Sequence, residues 1–270
     1  MTEFSKRVST SMVLISILAL LFLYGSNTSL VVTIYLITLL SFHEWLSITS
    51  KSKYYIIPFF VLLHLMDYSK WIDISLFLQF FLLLIMIMMY LTFTHESYFR
   101  EKIKKYSLFY GIVLNSSFFL FLTNLYPYDN TLGTQSYLLE NKHYFIILIS
   151  LVSFIDMSAY LSGKLIGRNK ITSEISPNKT YEGYAGALVL TIFTFIMIAN
   201  HFNFLWTYLD IISLLIFILM VFFGDLLMSL IKRVFEKKDT GSLLPGHGGV
   251  LDRLDSYFTS LPIFYLWFLF

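Results

Sequence analysis

Nine stretches of this chain read as bilayer-crossing helices, and that reading limits the fold more than any other feature. A helix rises about 1.5 Å per residue, so roughly 20 apolar residues cross a hydrocarbon core about 30 Å thick. Apolar runs near that length lie at about 8–25, 29–48, 52–68, 72–94, 106–126, 142–163, 182–204, 206–231 and 255–270. They lack the strict alternation of barrel strands, and a helix satisfies its own backbone hydrogen bonds where lipid offers no partner. The expectation is an all-α, polytopic integral membrane bundle of about nine transmembrane helices. Composition agrees: 57% of residues are hydrophobic and 13% charged, far from the balance of a soluble domain.

The third run is the weakest, carrying Pro58, His64 and, at its edge, Asp67. Charge bias argues for keeping it. With nine spans and an inner amino terminus, seventeen of the nineteen Lys and Arg fall on the inner side, and only Lys70 and Lys142 fall outside. Deleting the third span leaves six inside, against the positive-inside rule. The carboxyl terminus is then outside. Tyr24-Gly25-Ser26 is no small-x-small cleavage site, so the first run is expected to be retained as a helix. The chain has no cysteine, which removes thiolate chemistry and Cys-based metal sites. A formal charge of +2 gives no indication of a nucleic-acid partner.

Two acids interrupt apolar helices: Asp156 in "LVSFIDMSAYLSG" and Asp225 in "LMVFFGDLLMSLIKR". A carboxylate at mid-bilayer costs about 2.5 kcal/mol or more, so such groups face a partner or a wet cavity. Two readings stand: each acid pairs with or caps a neighbouring helix, or both mark a site. Asp225 lies seven residues before Lys232 and Asp156 eight before Lys164, roughly 10 to 12 Å below the inner basic lip. Asp225, Ser229, Lys232 and Arg233 share one helical face. Asp156 and Tyr160 begin a similar stripe toward Gly163 and Gly167.

That lip carries "KRVFEKKDTGSLLPGHGGVLDRLD", Lys232 to Asp255. Gly248 and Gly249 supply backbone amides that can approach an anion closely. Lys232, Arg233, Lys237, Lys238 and Arg253 would neutralise a polyphosphate. Asp252 and Asp255, three apart, suggest Mg²⁺, which takes one or two carboxylates and fills its shell with water and phosphate oxygens. His247 either turns the loop or serves phosphate binding or proton transfer. Zinc fits poorly, because no second His or Cys lies at ligand spacing. A basic loop that merely anchors to anionic lipid would need no Gly-His-Gly-Gly. In "ISPNKTYEG", Ser176 and Pro177 are expected to fix a turn, with Lys179 and Thr180 offering a cation and a hydroxyl on the same side. The Arg100–Lys105 cluster reads as a topology signal. His43 and Glu44, at the inner end of the second run, read either as lining the pocket or, the favoured reading, as an interfacial cap, and receive no place in the site.

Ser229–Asp255 resembles the signature of the phosphatidate cytidylyltransferases, or CDP-diacylglycerol synthases. Ser229, Lys232, Arg233, Lys238, Asp239, Gly241, Pro245, His247, Gly248, Gly249, Asp252, Arg253 and Asp255 fill its fixed positions. A second zone of the family is similar in Asp156, Ala159, Tyr160, Gly163, Gly167, Ser176, Pro177, Lys179, Thr180, Glu182 and Gly183, with Met157 and Ser158 departing where the family has a small polar residue and a glycine. The resemblance implies one membrane domain over 1–270, with N-terminal helices in 1–141 and a catalytic part in 142–270. Its motif loops, 164–183 and 232–255, would face the cytosol of a bacterial-type cytoplasmic membrane. The implied reaction joins CTP and phosphatidic acid into CDP-diacylglycerol and pyrophosphate. Also implied are Mg²⁺ on Asp225 and Asp252, with a second cation left open, and Asp255 and Asp156 beside the substrates. Lys232, Arg233 and Arg253 would hold triphosphate, and Ser176, Lys179 and Thr180 one phosphate, that of the lipid included. A homodimer is implied as well. A CTP-dependent polyprenol or phytol kinase and a membrane transporter are the alternatives.

Overall fold

The computed structural model describes residues 3–69, 74–125, 141–172, 175–246 and 248–269. His247, Lys70 and the polar excursion at 126–140 lie outside them. Helices occupy all nine apolar runs: α1 (Glu3–Tyr24), α2 (Asn27–Ile48), α3 (Ile56–Ser69), α4 (Ile74–Thr94), then α6 (Ser107–Leu125), α7 (Asn141–Ile166), α8 (Tyr181–His201), α9 (Tyr208–Val234) and α11 (Tyr257–Leu269). Six of these are long and apolar enough to cross a membrane: α2, α4, α6, α7, α8 and α9. The apolar stretches of α1 and α3, and α11 with 13 residues, are shorter.

Several short elements were not expected. Helix α5 (Glu96–Lys105) joins α4 to α6 and buries Phe99 and Ile103, four residues apart on one face, while Lys104 and Lys105 stay outside. A two-stranded antiparallel sheet, β1 (Lys170–Thr172) with β2 (Ser176–Thr180), pairs Lys170 with Thr180 and Thr172 with Ser176. The expected Ser176-Pro177 turn is therefore a strand. Pro177 is tolerated because a two-stranded sheet has only edge strands, where a missing N–H costs no inner ladder bond. Helix α10 (Leu251–Leu254) is a single turn before α11.

Helices in lipid gain little hydrophobic energy from one another, so close backbone approach and polar contacts decide their pairing. Helices α7 and α8 form the most extensive pair. A side chain on Gly183 would meet Ala159 O at 2.9 Å and Gly163 Cα at 3.1 Å, so only glycine lets the two backbones come this near. Met157 points away at 62% exposure while Ser158 is buried, so the two departures from the family pattern do not obstruct that contact. Helix α2 is fastened to α6 by Trp45 Nε1 donating to Ser107 O at 2.9 Å and Ser41 Oγ donating to Asn115 Oδ1 at 2.6 Å. Helix α9 runs through the core, buried along Leu214, Phe217, Ile218 and Val221, and packs on α11.

Helix α9 stops where its basic residues begin. Lys237 N donates to Lys232 O at 2.9 Å and Glu236 N to Arg233 O at 3.1 Å, the paired bonds of a Schellman ending, with Glu236 at φ 57° where glycine is usual. This sends 235–250 back across the bundle end. There Thr10 Oγ1 of α1 donates to Pro245 O at 3.2 Å, so the start of α1 and the motif loop lie at one level.

Candidate active site

Asp252 is the best-connected side chain of the motif loop. Its Oδ1 accepts from Lys232 Nζ at 2.8 Å; its Oδ2 accepts from Thr240 N at 2.8 Å, Thr240 Oγ1 at 2.9 Å and Gly249 N at 3.0 Å. Burial works against charge on Asp252, yet the Lys232 ammonium and the Gly249 and Thr240 amides hold its carboxyl below the usual carboxylate range. Gly248 stands at φ 81°, and a side chain there would reach Asp252 Oδ2 at 2.6 Å. The glycines thus let the loop fold over a carboxylate of the chain itself. The Gly249 amide, expected to face a substrate anion, is engaged by Asp252.

Sequence reading missed the second anchor. Glu44 is buried, and its Oε1 accepts from Val250 N at 3.0 Å and its Oε2 from Leu251 N at 2.8 Å. Thr240 Oγ1 lies 3.1 Å from Oε2, so one hydroxyl sits between the carboxylates of Glu44 and Asp252. A side chain on Gly249 would collide with both Glu44 and Thr240. Glu44 does cap a helix, but that helix is α10, some 200 positions downstream. The one sequence signal was an acid set beside Trp45 at the end of an apolar run.

Below this loop, Lys179 of β2 forms an ion pair with Asp225 of α9. Asp225 is not sealed off, with 31% of its side chain exposed against 9% for Asp252. One turn before it, Phe222 stacks on Tyr184 of α8 at 3.8 Å between ring centres, 7° from parallel. Asp156 of α7 lies within the electrostatic reach of Asp225, Lys179 and Arg253. Asp255 lies within that of Asp225, Lys232 and Lys179. Three carboxylates and three cations from α7, β2, α9 and the α10 region therefore share one zone. The resemblance set Asp255 beside the expected metal ligands as well as the substrates; here Asp255 and Asp225 are electrostatic neighbours, and Asp252 pairs with Lys232.

The remaining expected residues take simpler places. Thr180 is the N-cap of α8, its Oγ1 accepting from Gly183 N at 3.1 Å, which occupies the hydroxyl in holding the helix start. Ser176 opens β2 and is half-buried. Arg233 is exposed, with its Nε 3.5 Å from Ile175 O, and Lys238 is exposed at the loop mouth. Glu182 holds the start of the hairpin, accepting from Arg168 N at 3.1 Å and Asn169 Nδ2 at 2.7 Å. Among the described residues, no group of three or more His, Asp or Glu side chains forms a ready metal cage.

The comparisons with known proteins agree with one another. A chain named phosphatidate cytidylyltransferase from Staphylococcus saprophyticus is 42% identical over 130 residues, 46% of this chain and 48% of that one. Another of that name, from Bacillus subtilis, is 44% identical over 114 residues, 41% of each chain. The chain thus spans about half the length, or less, of the curated relatives it matches. A profile of the cytidylyltransferase family, by contrast, matches residues 5–270, from α1 through the motif loop to the last helix. With that match covering nearly every residue, and with the signature's Lys232 and Asp252 joined in one ion pair, the chain belongs to the cytidylyltransferase family.

Proposed function

We propose that this protein transfers the cytidylyl group of CTP to phosphatidic acid, giving CDP-diacylglycerol and pyrophosphate. The observation that carries this reading is the pairing of Lys179 of β2 with Asp225 of α9 and of Lys232 of α9 with Asp252 of α10, at the basic end of an apolar helix. Such a zone suits two anionic substrates, one arriving from water and one from lipid. A phosphate oxygen of phosphatidic acid attacks the α-phosphorus of CTP, and the bond from that phosphorus to the pyrophosphate oxygen breaks. The nucleophile is already an anion, so no Ser or Cys of the chain is required.

Lys232 and Arg233, at the end of α9, and Lys238, at the loop mouth, are placed to draw charge off the triphosphate and the departing pyrophosphate. Lys179 is placed to hold a phosphate against Asp225. The donor set fits Mg²⁺. Asp225 and Asp252 offer hard oxygens whose present counter-charges are lysine ammoniums, Asp252 Oδ1 accepting from Lys232. When bound, Mg²⁺ would neutralise phosphate charge and help orient the triphosphate. The reading extends to a cytoplasmic membrane with the site facing the cytosol and, following the resemblance, to a homodimer. The test is pyrophosphate release by purified protein: it should require CTP, phosphatidic acid and Mg²⁺ together. Release without phosphatidic acid would refute the assignment.

A further inference from the structure

A cleft of about 200 Å³ opens between α1, α2, α6 and α7. Its wall on α2 is a single stripe, Leu30, Thr33, Ile34 and Ile37, running about 10 Å along the helix at the helical rise. Phe118 and Leu122 of α6 and Leu148 and Ile149 of α7 form other walls. Thr33 makes no polar demand on it, because its hydroxyl donates to Ser29 O at 2.7 Å. Leu18 and Leu21 of α1 lie eight and eleven residues beyond Thr10, which touches the motif loop, so the cleft is set into the apolar depth below that loop.

One lining residue is charged. Arg253 stands at the cleft with Leu254 and Tyr257, directly after Asp252. It also lies within electrostatic reach of Asp156, which shares its zone with Asp225 and Lys179. An apolar slot with a cation where it meets a phosphate-handling site is complementary to an anionic amphiphile: tail in the slot, phosphate at the cation. Among the described lining residues, a nucleotide triphosphate would find no second cation and no polar wall.

Resting on the cytidylyltransferase reading above, we propose that this cleft holds one acyl chain of the phosphatidic acid substrate and that Arg253 draws the lipid phosphate, serving the lipid and not CTP. The cleft then sets acyl-chain preference, with Thr33 and Ile149 as residues whose size limits what fits.

The direct test uses the full chain in phosphatidylcholine vesicles with a phosphatidic acid bearing a diazirine in mid-chain. Label is expected on Leu30, Thr33, Ile34 and Ile37 of α2 and on Phe145, Leu148 and Ile149 of α7, and should be suppressed by excess unlabelled phosphatidic acid. Equal labelling of those stripes by a diazirine phosphatidylcholine would overturn the proposal, since the cleft would then be a general lipid seat. Label confined to the outward residues Leu36 and Leu40 would overturn it too. A second arm fills the slot by Thr33→Leu or Ile149→Phe. Each should raise KM for long-chain phosphatidic acid about tenfold, the effect of losing roughly two buried methylenes, while KM for CTP stays in place. Arg253→Gln should raise KM for phosphatidic acid while KM for CTP stays in place; a rise in KM for CTP alone in that variant would contradict the assignment of Arg253. Failure of the underlying reading has a different mark: no CDP-lipid from any chain length, with the labelling result still deciding the cleft.

Discussion

Glu44 of α2 and Leu251 of α10 are joined by a 2.8 Å hydrogen bond across 207 positions of sequence. The partner oxygen takes Val250 N, so one buried carboxylate holds the first turn of α10 by its free amides. The second transmembrane helix thereby sets the height of Asp252 relative to Lys232. Glu44→Gln should cost about 2 to 3 kcal/mol, because an amide NH₂ must face a backbone donor that has lost its acceptor. Thermal unfolding in detergent should show the loss, and turnover should fall with it. A variant of unchanged melting temperature would show that the loop is held elsewhere.

Asp225 and Asp252 should respond differently to the same change. Asp252→Asn leaves Lys232 without its carboxylate and disturbs bonds to Thr240 and Gly249, a loss of about 3 to 5 kcal/mol for a broken buried pair. Asp225 is more open to solvent, so Asp225→Asn should abolish most turnover in protein that still folds. Melting curves beside rates separate the two. An Asp225→Asn protein with normal activity would remove that residue from the site.

Acid should expose the same contrast. The carboxyl of Asp252 is held below its ordinary value of 3.8, so its contribution to stability is complete above that value and is lost as pH falls through the lower folded value. Melting temperature followed from pH 7 downward should therefore drop less steeply in Asp252→Asn than in the parent protein. Parallel slopes would mean that Asp252 is not ionised in the folded chain.

Two glycines should be irreplaceable for different reasons. Gly248→Ala places a side chain at φ 81° and against Asp252, costing about 1 to 2 kcal/mol from conformation alone. Gly249→Ala meets Glu44 and Thr240, and the loop must shift. Both should lower turnover strongly, and activity near the parent level in Gly249→Ala would show that the Glu44 contact does not govern the site.

These residues mark how far the sequence could be read. Apolar runs are visible because length and composition act locally, and the helices fall on them. Lys232 and Asp252 were legible as members of one site because both lie in one short motif, but their pairing with each other was not. Glu44 was not, because nothing around it names a partner so far along the chain. The β1–β2 hairpin was hidden by strands too short for a period-2 pattern and by Pro177, which usually signals a turn. In α5 the apolar face consists of little more than Phe99 and Ile103, and its lysines were read as topology alone. The electrostatic closeness of Asp225 to Asp156 and Asp255 is a relation no linear spacing displays.

The central claim concerns which phosphorus of CTP reaches lipid. Purified protein should be incubated with phosphatidic acid, Mg²⁺ and CTP labelled at either the α or the γ phosphate, and the lipid extracted. Cytidylyl transfer predicts α label in the lipid and γ label wholly in pyrophosphate; γ label in the lipid, with none from the α position, would contradict the account and make the protein a CTP-dependent kinase.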